Sequence, residues 1–480
     1  MDSFIGRDKQ LSLLKQLTKK KSSSLVVIKG RRRIGKSRLA EEFCHLFSHA
    51  LVFSGLPPDK NITASNQRDE FVRQLRAQNV PSYGAQDWGD IFYDLAQYAE
   101  SKKIVIVLDE ITWMGGLDPT FLGKLKIAWD MYFKKNPTLI MIISGSNSAW
   151  IEANILSKTG FFGRISLRIS LEELPLYQCN EFWGSFKNKI SSHEKFKILA
   201  VTGGIPRYLE EIHPEETAEQ NIYRLCYQRE GVLFNEFDDI FSDLFQKRSD
   251  RYKNIIHCIA DGKTTVDEIA IALERTKGGD LSESLNELIQ DGLISRDYSW
   301  SLKTGTPSKI SQYRVSDNYL RFYLKYILPY KQRIEIEDMQ ALPVGWQSIL
   351  GLQFENLVVN NRRLLHRLLN ISPEEIVACN PYFQPATQKY PACQIDYLIQ
   401  TRFNTLYLCE IKFSKTEVNS SVIKDVQEKI DNLVIARGFS IRPVLIHVNG
   451  VSDSVIAANF FAHLIDFSDF LNGQYSIANL

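Results

Sequence analysis

The sequence predicts an α/β chain whose first third folds around a parallel β-sheet, and two observations predict it. Short aliphatic runs at 25–28, 51–53, 104–108 and 139–143 alternate with longer amphipathic stretches. Residues that are apolar consecutively suit strands buried on both faces, and helical spacers between them suit parallel crossovers. The second observation is a glycine-framed basic segment directly after the first run, at Gly30, Arg31, Arg32, Arg33, Ile34, Gly35, Lys36 and Ser37.

At roughly 150 residues per domain, 480 residues hold about three domains. The hydrophobic fraction of 44% and the charged fraction of 24% suit an ordinary globular protein, and neither points to long disorder. A formal net charge of +2 gives no overall field for polyanions, so any such site has to be built locally. The seven cysteines are widely spread with no C-x-x-C pair, which argues against a disulfide framework and a zinc knuckle. Residues 1–7 lack a secretory pattern and no apolar run reaches about 18 residues, so a cytoplasmic protein with no membrane partner is expected.

The segment from Gly30 to Ser37 fits G-x-x-x-x-G-K-[ST] between a strand and a helix, where the mechanism needs it. The backbone wraps phosphates at the two glycines, Lys36 reaches the β/γ oxygens, Ser37 holds Mg²⁺, and Arg38 follows in the first helical turn. An acid at the end of a neighbouring strand completes such a site. Asp109, after the run 104–108, is expected in the Mg²⁺ shell, and Glu110 as general base for the attacking water. Ser146 and Asn147, after the run 139–143, are candidates for sensing the γ-phosphate or for capping a helix. Arg164 is a candidate arginine finger or a surface arginine.

Downstream the pattern turns helical. A helical lid is expected at 171–245, after a sheet domain at 1–170. Residues 246–328 read helix, helix, helix and two β-like stretches, the order of a winged helix-turn-helix. Its third helix carries Asp280, Glu283, Glu287 and Asp291 with no Lys or Arg, which opposes DNA phosphates, whereas the wing carries Arg296, Lys303, Lys309 and Arg314. Docking within the protein or on a partner protein is therefore favoured over sequence reading. A linker is expected at 329–345 and a third α/β unit at 346–480.

In that last unit Asp396 stands in an apolar strand, and Glu410 and Lys412 share one face of the next. Asp396 and Glu410, with Glu355 as an extra ligand, could hold Mg²⁺ or Mn²⁺, and Lys412 could orient water for phosphodiester cleavage. Charges in otherwise buried strands are costly unless paired or metal-bound. An active nuclease, a degenerate fold used for binding and a coincidental charge pattern all fit.

Phe4-Ile5-Gly6-Arg7-Asp8, the loop Gly30 to Ser37, Asp109-Glu110, Gly145-Ser146 and Gly203-Gly204-Ile205-Pro206-Arg207-Tyr208 together resemble the archaeal-type ATPases, an AAA+ branch near the STAND NTPases. The resemblance implies ATP as cofactor, Pro206 packed in the lid against nucleotide, and Gly6-Arg7 beside the adenine. The D…E-x-K pattern resembles the PD-(D/E)XK nuclease superfamily, in which Ile395 stands where a proline is common. Together these imply an ATP-hydrolysing protein whose nucleotide state gates a nuclease-like domain acting on DNA or RNA. The alternative is a STAND-like switch that only binds nucleic acid or protein. Self-association into a homo-oligomer is left open.

Overall fold

The computed structural model describes residues 4–472 except 58–60, 85, 158–159, 246–247, 276–277 and 436. The chain divides into two compact units. The first comprises Met1–Glu172 with two later stretches, Ile240–Ser249 and Gln290–Gly292, and the second comprises the rest.

In the first unit, β1 (Ser24–Lys29), β2 (His49–Ser54), β3 (Ile104–Asp109), β4 (Ile140–Gly145) and β5 (Ile165–Ser170) form one sheet in the order β2-β3-β4-β1-β5. Every pairing is parallel. The three inner strands are almost wholly buried, which is why they read as unbroken aliphatic runs. β5 has no such run: Ile-Ser-Leu-Arg-Ile-Ser alternates on a half-exposed edge. One face of the sheet packs on an aromatic cluster in which Trp88 meets Phe121 edge-on at 4.8 Å and Phe53 stacks on Phe71 at 4.4 Å. Parallel strands put all their C-terminal ends on one edge, so the loops after β1, β3 and β4 converge there.

In the second unit, β6 (Ile294–Trp300) and β7 (Pro307–Val315) form an antiparallel hairpin after the helices Ser249–Ala260, Val266–Ala272 and Gly279–Gln290. β8 (Ile376–Gln384), β9 (Cys393–Thr401), β10 (Thr405–Lys412), β11 (Ser440–His447) and β12 (His463–Asp466) form a mixed sheet in the order β12-β11-β10-β9-β8. β8, β9 and β10 pair antiparallel, and β10, β11 and β12 pair parallel. β8 carries Pro381 and lies at the sheet's edge, where a missing backbone N–H is tolerated.

The hairpin is built into this sheet's core. Trp300 and Leu302 belong to the same buried cluster as Ile395, Leu398 and Leu408. Trp300 Nε1 donates to Gln400 at 2.6 Å, and Ser299 Oγ donates to the Phe383 carbonyl at 2.5 Å. The stretch expected as a linker is also anchored: Ile334 and Met339 are buried, and the Tyr223 hydroxyl donates to the Met339 carbonyl at 2.6 Å. The segments expected as lid, three-helix module and last α/β unit thus share one compact unit, apart from the two stretches that return to the first. Sequence periodicity does not carry this, because it reports which face is apolar and not what that face meets.

Candidate functional site

β1 ends at Lys29 and the chain turns through Gly30, at φ 154°, into the helix Lys36–Cys44. A Cβ at Gly30 would stand 2.6 Å from the Leu171 carbonyl oxygen, so only glycine brings the loop this close to the end of β5. Arg33 at φ 67° and Gly35 at φ 90° complete the turn. Burying an ammonium costs heavily unless it is fully bonded, and Lys36 is. Its Nζ donates to the carbonyls of Gly30 (3.0 Å) and Arg31 (3.1 Å) and to Ser146 Oγ (2.8 Å). Burial lowers its pKa, against the pull of Glu110 and Asp109.

The Ser37 hydroxyl donates to Asp109 Oδ2 at 2.6 Å, so two oxygens suited to a Mg²⁺ shell are already adjacent. Ser144 Oγ donates to the other oxygen of Asp109 at 2.5 Å and fixes its rotamer. Glu110 adopts the left-handed φ of 50°, which turns its side chain off the strand path towards β4. There it accepts from Ser146 Oγ at 2.6 Å and from the Ser146 amide at 3.0 Å. Burial pushes the Glu110 carboxyl up and Lys36 pulls it down. Ser146 therefore links the lysine to the carboxylate. These residues fit a Mg²⁺-nucleotide: a buried cation faces the glycine-framed loop, and the hydroxyl–carboxylate pair stands beside it.

Three further groups surround the loop. Arg7, itself at φ 64°, donates to the carbonyls of Ile34 (3.0 Å) and Glu172 (2.6 Å), which ties the opening Gly6-Arg7 turn to the loop. Arg32 pairs with Asp243 at 3.1 Å, an acid supplied by the stretch that returns to this unit. The Ser148 amide donates to Asp291 at 2.7 Å. Both acids act on Lys36 through their charge, and neither was singled out for this site from sequence, where they lie far from the loop.

The remaining expected site residues have their own contacts. Asn147 caps the helix Ser148–Ile151 by accepting from the Trp150 amide at 2.7 Å, so the cap and not a sensor describes its contact. Arg164 binds Asp130 through two bonds of 2.8 and 2.9 Å. It precedes Ile165, which pairs with Leu25 near the start of β1, so the five residues from Leu25 to Lys29 put it roughly 16 Å from its own loop. A finger role within the same subunit is excluded by that distance. Arg38 is on the outer face of its helix, 3.8 Å from Glu41. Pro206 opens the short helix Pro206–Leu209 of the second unit.

Residues 4–212 match a family of ATPase domains found predominantly in Archaea. This segment is similar to an archaeal-type P-loop ATPase domain. The chain is also 26% identical over 358 residues to an uncharacterised protein of Methanocaldococcus jannaschii, an alignment spanning 74% of this chain and 76% of that one. It is also similar to a solved Walker-type ATPase of Pyrococcus abyssi, at 17% identity over 67% of this chain and 96% of that one, with a TM-score of 0.48. The ORC2 protein of Aeropyrum pernix aligns at 13% identity over 70% of this chain and 97% of that one, with a TM-score of 0.41. Among the described residues no helix is long and apolar enough to cross a membrane.

Downstream of that segment, a second group of charges gathers on the mixed sheet. Asp396 on β9 accepts from the Ile411 amide of β10 at 2.8 Å, which brings its carboxylate beside that of Glu410. Lys429, from the helix Ser421–Asn432, reaches both, at 2.5 Å from Glu410 and 3.4 Å from Asp396. Burial and the charge of Asp396 raise the Glu410 pKa, while Lys429 and Lys412 lower it. The lysine in contact is thus Lys429, whereas Lys412, expected there from its spacing, acts on Glu410 only through its field. Lys429 had a legible signal: it follows Val422 and Val426 at helical spacing on the buried face.

Glu355, on the helix Leu350–Asn360, shares a cleft of about 440 Å³ with Asp396. Its carboxyl is pushed up to about 7 by burial and the Asp396 charge, against Arg321 and Arg314. Among the described residues no three His, Cys, Asp or Glu groups come together as a metal-ligand set, Glu355, Asp396 and Glu410 included. That pair still fits a cation, since an ammonium sits on it, and a divalent ion there would have to displace or share with Lys429.

Proposed function

We propose that this chain hydrolyses ATP with Mg²⁺ at the loop Gly30 to Ser37, and that the nucleotide state controls a PD-(D/E)XK nuclease-like site in the second unit. The observation that carries the first half is the Lys36–Ser146–Glu110 chain beside the Ser37–Asp109 pair. Lys36 holds the phosphates, Ser37 and Asp109 hold the ion, and Glu110, released from Ser146, takes the proton of the attacking water. Bound Mg²⁺ neutralises charge on the β/γ oxygens.

The second half is supported by the Asp396–Glu410–Lys429 cluster on β9, β10 and the following helix. Asp396 and Glu410 would supply carboxylate oxygens to Mg²⁺ or Mn²⁺, and the Lys429 ammonium, kept charged by the two carboxylates, would position the attacking water. Coupling has a covalent route. The helix Glu236–Phe245 runs from residues of the second unit into the stretch that carries Asp243, the partner of Arg32. We read the three helices and hairpin as a winged helix that docks inside the protein, because Trp300 and Leu302 are core residues of the mixed sheet.

A second reading, a STAND-like switch whose last domain only binds nucleic acid or protein, is favoured by Lys429 already neutralising the carboxylate pair. One experiment separates them: ATP turnover and cleavage of labelled DNA and RNA, with Mg²⁺ or Mn²⁺ and with or without ATP, for wild type, Lys36→Ala and Asp396→Ala. Cleavage lost in Asp396→Ala with ATPase retained supports the nuclease. Folded, ATP-hydrolysing protein that cuts nothing leaves the switch.

A further inference from the structure

The cleft of about 440 Å³ beside Asp396 lies wholly within the second unit and has two unlike walls. One is the three-helix and hairpin module, through the turn at Asp261-Gly262 and through Arg314 of β7. The other is the mixed sheet, through Phe383 of β8 and Asp396 of β9. Lys325, exposed to solvent, stands on the lining as well.

The volume is near the lower end of cavities that enclose one small ligand, about 300–1,000 Å³. A base-paired duplex presents both strands as one stiff body, and its backbone reaches Asp396 only by entering between the walls. A single strand has no such constraint, because its nucleotides rotate independently. It also matches the lining: Phe383 offers an aromatic face to a base, and the exposed Lys325 offers positive charge to phosphates, while Arg314 is held by Asp297. The hairpin wall is held by core contacts, with Trp300 and Tyr382 packed edge-on at 5.0 Å, so it is not a loose flap that a duplex would push aside.

We propose that this cleft takes single-stranded nucleic acid, with one nucleotide seated between the hairpin and the sheet, and so restricts the nuclease-like site to single strands, flaps or frayed ends. The inference rests on the nuclease reading for its chemistry but not for its binding.

The test is fluorescence anisotropy of the full chain in EDTA with a labelled single-stranded oligonucleotide and its blunt duplex, beside cleavage of both in Mn²⁺. Lys325→Glu is compared with Lys389→Glu, which is exposed and outside the cleft. The single strand is expected to bind about ten-fold more tightly than the duplex, the scale of one stacked base. Lys325→Glu removes most of that preference, whereas Lys389→Glu and the ATPase rate change little. Equal or tighter duplex binding, or an unchanged preference in Lys325→Glu, overturns the inference. Single-strand binding without cleavage sinks the nuclease reading alone, and cleavage inside the blunt duplex sinks the inference alone.

Discussion

Replacing Lys429 by methionine removes one charge while keeping most of the side-chain volume, and its consequence follows from the contacts. The ammonium stands 2.5 Å from Glu410 and 3.4 Å from Asp396, with side-chain exposures of 25%, 7% and 16% for the lysine, Glu410 and Asp396. At an effective dielectric near 20, a contact at this range is roughly 5 kcal/mol gross, most of it offset by desolvation. Removing one partner of a buried pair costs about 3–5 kcal/mol net, and the partial exposure of Lys429 puts it near about 3. In a unit of this size that corresponds to a fall in Tm of roughly 5 °C. The assay is thermal unfolding of wild type and Lys429→Met in EDTA and in Mn²⁺. The two carboxylates left without their cation should bind Mn²⁺ more tightly than in wild type, so Mn²⁺ recovers much of the loss; saturation at 100 times Kd is worth about 2.7 kcal/mol. An EDTA melt equal to wild type, or an equal Mn²⁺ gain in both proteins, would refute the view that Lys429 occupies a cation position.

Glu110→Gln should bind ATP with near wild-type affinity and lose hydrolysis by about 10²-fold or more, measured as nucleotide Kd against turnover, since the amide keeps the Ser146 contact but takes no proton. Asp243→Ala should tighten ATP binding several-fold, because the acid competes with phosphate for Arg32 and sets a negative field at Lys36; a weaker Kd would mean that Asp243 instead orients Arg32 for nucleotide. Arg164→Ala should leave the ATPase rate of isolated subunits unchanged but lower urea stability at neutral pH. The Asp130 carboxyl is held at about 2 by Arg164, below its ordinary 3.8, so the pair stabilises fully above 3.8 and fades as pH falls towards about 2. A stability gap between wild type and Arg164→Ala that grows on acidification would contradict that pairing.

Local motifs and strand interiors were legible in the sequence because each rests on short-range rules. The loop Gly30 to Ser37 needs glycines where the backbone turns, and Asp109 follows an aliphatic run because a buried parallel strand ends at that edge. β5, β8 and β12 escaped for a shared reason: they are edge or short strands, only partly covered, so their sequences carry no continuous apolar signal. Lys412 and Lys429 illustrate the same limit at the second site. Spacing in β10 shows which residues share a face with Glu410, but not which neighbouring helix fills the space above it.

By itself, the sequence determined the nucleotide loop, the acid that follows β3, the inner strands and the carboxylates on β9 and β10, because these are dictated by backbone conformation and side-chain period along a few consecutive residues. Only the tertiary structure decided that Asp243 meets Arg32, that Arg164 is spent on Asp130, that Lys429 sits on Asp396 and Glu410, and that the hairpin shares a core with the mixed sheet. Each joins residues far apart in the chain, and such partners are chosen by which surfaces exclude water together and which buried charges must be neutralised, neither of which a local pattern records.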